Sequence, residues 1–243
     1  MGNIVREMLD SARISVIEAA EISGVPKSNI YRYLSNEAAP TIEVVSELAL
    51  ACNLSLELRL APLSDPHAAE AAKWVLGASA KEPIGDVNKW VSRIERQHCE
   101  SEFEVIEFAG RASNPLHRQG AQYFRGSVNA LTVASAGEMT GKDWALSGAP
   151  VLEALELDPV GIPLILWAAD EVKAGRAMEK SAVRLPLVDG ANIIIVPALS
   201  DELQDSSELE GIRIVSVLQG LLDVVGISDT SREQVLAYVE RMK

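Results

Sequence analysis

The stretch from Val16 to Ser35, VIEAAEISGVPKSNIYRYLS, restricts the fold more than any other part of the sequence. Two short helical patterns flank Gly24, which can adopt the positive φ that ends a helix, and Pro26, which suits the first turn of the next helix. Ala19 and Ala20 are small enough to let the second helix approach the first closely. This layout predicts a helix-turn-helix.

The second of these helices has two different faces. Ile30, Tyr33 and Leu34 follow one another at the spacing of a buried stripe. The opposite face carries polar and cationic side chains of the kinds that contact phosphates and base edges. We therefore predict a DNA-binding surface formed by Lys27, Ser28, Asn29, Tyr31, Arg32 and Ser35. The alternative interpretation is a helical hairpin that serves only for packing.

The charge of the chain confines any such DNA contact to one patch. The formal net charge is −13, and residues 1–63 hold five Lys and Arg against eight Asp and Glu. Nucleic acid would repel most of such a molecule, so a single subunit should bind weakly. We expect a homodimer that places two recognition helices in successive major grooves of operator DNA.

Composition favours a folded cytoplasmic protein. The 243 residues are 48% hydrophobic, which is enough for two domains with their own cores. Cys52 and Cys99 have neither disulfide nor ligand spacing, and we expect both to be buried in a reducing compartment. His67 and His98 lack a second ligand at metal spacing, so no metal or cofactor is predicted. No leader or membrane-spanning pattern is visible, and no membrane contact is expected.

Further elements complete the N-terminal region. A helix from Asn3 to Ala12 is predicted to cover the helix-turn-helix, and Thr41 is predicted to cap another helix. Their inward stripes consist of Ile4, Val5, Met8 and Leu9, and of Ile42, Val45, Leu48, Ala49 and Cys52. From Leu54 to Leu60 leucines alternate with polar residues, which predicts a half-buried strand. Because an unpaired apolar strand favours association, this strand should pair with its copy in a second chain or with a later part of its own chain.

With these elements, residues 3–61 resemble the Xre-like DNA-binding domains of bacterial antitoxins and phage-type repressors. Some members of that group dimerise through such a strand. The resemblance implies a sequence-specific DNA-binding domain.

The middle of the chain has a weaker pattern. Residues 62–102 are predicted to form a helical linker region, with helices in HAAEAAKWVLGAS and from Asp86 to Gln97. Phe103 to Ala109, FEVIEFA, alternates weakly and predicts a strand that opens the next sheet. The one clearly basic segment downstream, Asn114 to Gly126, contains His117, Arg118 and Arg125. It is interpreted either as a solvated loop or helix face, or as a second contact to DNA or to a protein partner.

Strands and helices alternate from Asp143 onward. DWALSGAPVLEAL predicts a strand or turn that leads into a helix, and GIPLILWAADEV and ANIIIVPALSDEL predict buried strands. Additional helices are predicted near 171–180, 217–225 and 231–242, with strands at 183–188 and 212–215. The sequence thus predicts an α+β multidomain chain: an all-α helix-turn-helix domain at 1–61, the helical linker region at 62–102, and an α/β domain at 103–243.

These C-terminal blocks resemble the C-terminal domain of AbiEi-type antitoxins, proposed transcriptional regulators of type IV toxin–antitoxin and abortive-infection systems. The resemblance is carried, in order, by WALSGAPVLEAL, GANIIIVPALSDEL and GIRIVSVLQGLLDVVGISDTSREQVLAYVERM. The family block dG-x-x-v-S-P-v-Q-x-x-x-D-L corresponds here to Glu210-Gly211, Val215-Ser216-Val217-Leu218-Gln219 and Leu222-Asp223-Val224. Val217 replaces the usual Pro, and the family more often has a winged helix where this chain has an Xre-like domain.

Together the two resemblances imply a DNA-binding antitoxin that autoregulates its operon and counteracts a nucleotidyltransferase-like toxin, with which direct contact is not required. The alternatives are a phage- or operon-specific repressor without a toxin, and a partner-binding inhibitor whose helix-turn-helix is structural. Enzyme activity is not expected. Gly126-Ser127 is followed by VNALTVASAG, which lacks the acids that a nucleotidyltransferase needs for Mg²⁺, and no G-x-S-x-G of a serine hydrolase occurs.

Overall fold

The computed structural model of the chain describes residues 2–199 and 201–242. The chain divides into two compact units, Met1–Ala61 and Pro62–Lys243. The first is helical and the second combines a mixed sheet with helices, so the predicted α+β class is confirmed.

The first unit has its own small core. Its helices are α1 (Gly2–Ala12), α2 (Val16–Ser23), α3 (Lys27–Leu34) and α4 (Ile42–Ala51). Val5 and Leu9 of α1 pack with Ile30 and Tyr33 of α3 and with Leu48 of α4. Thr41 caps α4 by accepting a hydrogen bond from the N–H of Val44 at 3.4 Å.

Two residues of the predicted inward stripes lie outside this core. Ile4 is 40% exposed and Ile42 is 57% exposed. Both lie at the margin of their helix stripe, where they line a surface groove that also includes Leu56 and Leu58. Assigning Ile4 and Ile42 to the core was therefore wrong.

The predicted strand from Leu54 to Leu60 is not a strand. The segment runs without a turn or bend, and the sheet formed by the described residues does not include it. A strand is stabilised by the hydrogen bonds of a neighbouring strand, and the described chain does not supply one. Leu56 packs against the core, whereas Leu58 is 68% exposed and Leu60 is fully exposed.

A helical layer forms one side of the second unit. It contains α5 (Pro66–Val75), α6 (Gly85–Gln97), α7 (Glu102–Ser113) and, from the end of the chain, α11 (Val217–Val225) and α12 (Asp229–Arg241). The segment 62–102 is helical as predicted. Its α5 and α6 pack against α7 in the large core of the second unit, so they belong to a compact body.

The predicted strand over Phe103 to Ala109 is wrong, because these residues belong to α7. Ser101 caps this helix by accepting a hydrogen bond from the N–H of Glu104 at 3.2 Å. Phe103, Ile106 and Ala109 are buried and lie three residues apart, which is the spacing of a helix face.

The sheet of the second unit has strands at its centre that are buried on both sides. Among the described residues the strands are β1 (Gln122–Arg125), β2 (Trp144–Gly148), β3 (Leu164–Ala168), β4 (Val183–Leu185), β5 (Ile193–Pro197), β6 (Ser207–Leu209) and β7 (Ile212–Ile214). Their order is β4-β1-β5-β3-β2-β7-β6. The pairs β3–β5 and β2–β7 are parallel and the other neighbours are antiparallel. The continuous apolar runs of β3 and β5 suit this double burial.

Three further helices connect the strands: α8 (Ala130–Glu138), α9 (Ala149–Ala154) and α10 (Glu171–Met178). Strands β2, β3, β4, β5 and β7 and helices α9 to α12 occur where the sequence predicted them, within a few residues. Strands β1 and β6 and helix α8 were not predicted from the sequence. Cys52 is buried as predicted, and Cys99 is half-buried; both are free thiols.

Candidate nucleic-acid interface

Helix α2 begins with a reciprocal capping box. The backbone N–H of Ser15 donates to the Glu18 carboxylate at 2.7 Å, and the backbone N–H of Glu18 donates to Ser15 Oγ at 3.2 Å. These hydrogen bonds lower the pKa of Glu18 below its ordinary value. The exchange fixes the residue at which α2 starts.

The turn between α2 and α3 is closed by backbone and hydroxyl hydrogen bonds. Gly24 has φ +71° and its N–H donates to the carbonyl of Ala20 at 3.0 Å. Ser23 Oγ donates to the Ala19 carbonyl at 2.6 Å and accepts from the N–H of Val25 at 3.2 Å. Glycine is favoured at this position because of its positive φ. Lack of space is not the reason, since a Cβ built there meets nothing within 4 Å.

Helix α3 starts after Pro26 without a side-chain cap. The N–H groups of its first turn therefore have no side-chain acceptor, and the positive end of the helix dipole lies there. On the inner face, Ile30 is completely buried and Tyr33 is buried beside it, so the rotation of α3 about its axis is fixed by the core.

The six residues predicted to contact DNA lie on or next to α3, away from the core. Five of them are exposed, Asn29 is half-buried, and the Tyr31 side chain is 55% exposed. The hydroxyl of Ser35 donates to the carbonyl of Arg32 at 3.2 Å, just beyond the helix end. This face combines two cations, Lys27 and Arg32, with hydrogen-bonding groups, and no acid occurs between Gly24 and Asn36. It can donate hydrogen bonds to phosphates and to base edges in a major groove.

The secondary basic segment of the second unit does not form one surface. His117 and Arg125 are exposed, but Arg118 is buried. The Arg118 guanidinium pairs with Glu202 at 3.1 Å and donates to Ser64 Oγ at 3.2 Å. Arg118 is thus withdrawn from any surface contact by an ion pair, and the exposed basic side chains of the segment are His117 and Arg125.

A buried polar network in the second unit connects residues from three separate parts of the chain. Ser147 of β2 and Trp167 of β3 donate to one oxygen of Asp223 at 2.5 and 2.8 Å, and Gln219 donates to the other at 2.7 Å. Burial raises the pKa of Asp223 above its ordinary value, although these three donors oppose the shift. Asp223 is almost completely buried, so the network joins α11 to the sheet and acts as a structural element.

Ser216, predicted to cap α11, does so by accepting from the N–H of Gln219 at 3.3 Å. Gln219 and Asp223, predicted to share a helix face, are hydrogen-bonded neighbours. The convergence of Ser147 and Trp167 on Asp223 was missed, because spacing within α11 carries no information about distant strands.

The described part of the chain contains neither a candidate metal site nor a candidate membrane span. Within residues 2–199 and 201–242, no group of three or more His, Cys, Asp or Glu side chains is placed to hold a metal ion. Over the same ranges, none of the helices has the length and hydropathy needed to cross a membrane.

Comparison with known proteins assigns the first unit. Residues 5–58, which include most of α1 and all of α2 to α4, match the helix-turn-helix family. No curated protein and no solved structure matches the chain. The predicted resemblance of the N-terminal region is confirmed: it is an Xre-like helix-turn-helix domain, of the kind that DNA-binding transcription regulators carry.

Proposed function

We propose that the chain is a DNA-binding antitoxin-like repressor. It recognises an operator upstream of its own gene through α3, represses its operon, and counteracts a nucleotidyltransferase-like toxin. The observation that carries the DNA-binding part is the contrast between the two faces of α3. Ile30 and Tyr33 are buried, while Lys27, Tyr31 and Arg32 are exposed on a helix whose N-terminus has no side-chain cap.

The acidic charge favours a dimer as the binding species. Residues 1–63 have three more acids than bases, so the cations of α3 work against the field of their own unit. Two copies of α3 in successive major grooves, about 34 Å apart, double the favourable contacts and restrict binding to paired half-sites. We therefore expect modest affinity for arbitrary DNA and strong dependence on salt.

The antitoxin part of the proposal is supported by the resemblance of the C-terminal blocks to AbiEi-type antitoxins. Two of the blocks, WALSGAPVLEAL and GIRIVSVLQGLLDVVGISDTSREQVLAYVERM, contribute Ser147 and Asp223 to the same buried network. Both blocks therefore belong to the core of the second unit. The alternatives remain an operon-specific repressor without a toxin and a partner-binding inhibitor.

Operator recognition is tested by fluorescence anisotropy of the full chain on a duplex from its upstream region and on a scrambled duplex, over a salt series. The Lys27→Ala/Arg32→Ala variant should lose the preference for the upstream duplex. The matched control is Arg176→Ala/Lys180→Ala, which removes the same charge from exposed positions of the second unit. If both variants lose the same amount of affinity for the upstream duplex, the affinity depends on net charge and not on α3. That outcome would remove α3 from the proposal.

Antitoxin activity is tested by coexpression with a nucleotidyltransferase-like protein encoded beside the gene. Relief of growth arrest by the wild-type chain supports the full proposal. Specific DNA binding without relief leaves the operon-specific repressor. Relief or partner capture without DNA binding leaves the partner-binding inhibitor, and failure of both assays removes the proposed function.

A further inference from the structure

Two cationic side chains of the second unit are buried, which is uncommon for lysine and arginine. Within residues 2–199 and 201–242, the buried members of these two types are Lys73 of α5 and Arg118, at 5% and 7% exposure. A charge that is taken out of water is costly unless a charge of opposite sign lies beside it. Each of the two cations therefore needs an anion next to it.

Both anions come from adjacent residues of one turn. We call residues 201–205, DELQD, the acidic loop. Lys73 Nζ donates to the carboxylate and to the carbonyl oxygen of Asp201, at 2.8 Å in each case, and Arg118 Nη1 donates to the Glu202 carboxylate at 3.1 Å. The Asp201 carbonyl belongs to the peptide bond that leads to Glu202. The two cations therefore lie beside the same dipeptide.

The acidic loop leaves donors of both cations unused. A lysine ammonium has three N–H donors and an arginine guanidinium has five. Among the described residues, Lys73 uses two of them on Asp201, and Arg118 uses two, on Glu202 and on Ser64. One buried carboxylate oxygen of Glu202 also has no hydrogen-bond partner in the described chain. The two carboxylates therefore satisfy this pair of cations incompletely.

Contacts outside the acidic loop help to position both cations. Arg118 Nε donates to Ser64 Oγ at 3.2 Å, and the guanidinium lies over the ring of Trp167, 5.2 Å from its centroid. Lys73 belongs to α5, which packs against α7 in the large core of the second unit. The cations are thus attached to the body of the unit, and their anions are attached to a surface turn.

A cavity beside Lys73 shows that the acidic loop does not fill the space around this cation. The volume of the cavity is about 90 Å³, and its lining includes Lys73, Ser79, Gln204, Asp205 and Ser216. Ser216 is the N-cap of α11, so the positive end of that helix lies at the cavity and favours an anion there. Gln204 and Asp205 are exposed members of the acidic loop. Displacement of the loop would therefore open the cavity and remove an acid from its lining.

We propose that Lys73 and Arg118 form a binding site for a small ligand with two linked anionic groups, and that the acidic loop occupies this site as an internal competitor. The carboxylates of Asp201 and Glu202 stand where the two anionic groups of the ligand bind. Ammonium and guanidinium groups bind phosphates and carboxylates alike, so the ligand is a diphosphate or a dicarboxylate. This inference goes beyond the proposed function, because it depends neither on an operator nor on a toxin.

The test measures binding of inorganic pyrophosphate and of succinate to the full chain by isothermal titration calorimetry at fixed ionic strength. Competition by the acidic loop weakens binding to the wild type. Asp201→Asn/Glu202→Gln keeps the size of both side chains and removes their charges, so the dissociation constant of the ligand class that binds should fall by about tenfold or more. Asp189→Asn/Glu208→Gln removes the same charge from exposed positions and should leave the constant unchanged.

Lys73→Met, added to the Asp201→Asn/Glu202→Gln variant, should abolish the binding. Tighter binding of pyrophosphate identifies the anionic groups as phosphates, and tighter binding of succinate identifies them as carboxylates. Binding that survives Lys73→Met, or an equal gain of affinity in the Asp189→Asn/Glu208→Gln control, would overturn the inference.

Hydrogen exchange of the wild-type chain supplies a readout that does not depend on the folding of a variant. Pyrophosphate or succinate should increase deuterium uptake in residues 201–206, because the ligand displaces the acidic loop. Sodium chloride at the same ionic strength should have no such effect. If neither probe gives calorimetric binding to the wild type or raises this uptake, the acidic loop is a permanent part of the core and the proposed site does not exist.

Discussion

The indole N–H of Trp167 donates to the carboxylate of Asp223 at 2.8 Å, so a strand in the middle of the sheet is joined to α11 through a buried acid. Ser147 shares the same carboxylate oxygen from the adjacent strand. A fully buried carboxylate is costly unless donors surround it, and removing it leaves those donors without an acceptor. The network is therefore a sensitive place to test what stabilises the second unit.

Asp223→Ala should lower the free energy of unfolding of the second unit by about 3 kcal/mol or more, because three buried donors lose their acceptor. Equilibrium urea unfolding of the full chain, followed by circular dichroism, measures the loss. Asp189→Ala is the control, since Asp189 is exposed, and it should change stability by less than about 0.5 kcal/mol. Equal losses in the two variants would mean that the network contributes nothing.

The pH dependence of stability should carry the signature of Asp223. Burial raises the pKa of this carboxyl in the folded state, so the folded chain holds its proton at pH values where the unfolded chain has released it. Stability is then lost as pH rises from the ordinary aspartate pKa towards the raised one. Relative to Asp223→Asn, the wild-type unfolding free energy should fall with rising pH, by at most about 1.4 kcal/mol per pH unit. Urea unfolding from about pH 4 to about pH 8 tests this, and a difference that grows in the opposite direction contradicts it.

Gly24→Ala should destabilise the first unit by about 1–2 kcal/mol through backbone conformation alone. Gly24 has φ +71°, and a Cβ built there meets no neighbour, so steric overlap contributes nothing. Gly24→Asn provides the comparison, because asparagine tolerates the left-handed region better, and it should cost less than alanine. Thermal melts compare the stability of the two variants. An asparagine variant that is less stable than the alanine variant would contradict the argument.

Substitutions at adjacent residues on opposite faces of α3 should affect folding in one case and DNA binding in the other. Ile30→Asp places a charge without a partner in the core of the first unit and should unfold that unit. Tyr31→Asp places the same charge on an exposed position and should leave the unit folded. Its DNA affinity should nevertheless fall by about tenfold, because the acid faces phosphates. Amide exchange reports folding and anisotropy reports affinity; a folded Ile30→Asp variant would refute the assigned core.

Features set by neighbours in the sequence were predictable. Gly24 ends α2 through its own φ, and Ser216 caps α11 three residues away, so both are determined within one turn. The register of α3 followed from the periodicity of Ile30 and Tyr33. The strand prediction for Phe103 to Ala109 failed because seven residues fit a helical and an alternating period equally well. The N-cap at Ser101 identifies the segment as a helix.

Features set by distant residues were not predictable. From the sequence, Arg118 was interpreted as part of an exposed basic segment. The acid that pairs with it, Glu202, lies 84 residues further along the chain. The donors to Asp223 come from 76 and 56 residues away. Strand formation by Leu54 to Leu60 depends on a neighbouring strand, which alternation in the segment itself cannot supply.

The tryptophan residues of the chain all lie in one of its two units. Trp74, Trp90, Trp144 and Trp167 all belong to the second unit, whereas Tyr31 and Tyr33, both on α3, are the aromatic residues of the first. Tryptophan emission from the unmodified chain therefore reports on the second unit and is silent about α3. Replacing Tyr31 or Tyr33 with tryptophan would give α3 an optical signal of its own, and Tyr31 is the better site because its ring already faces solvent.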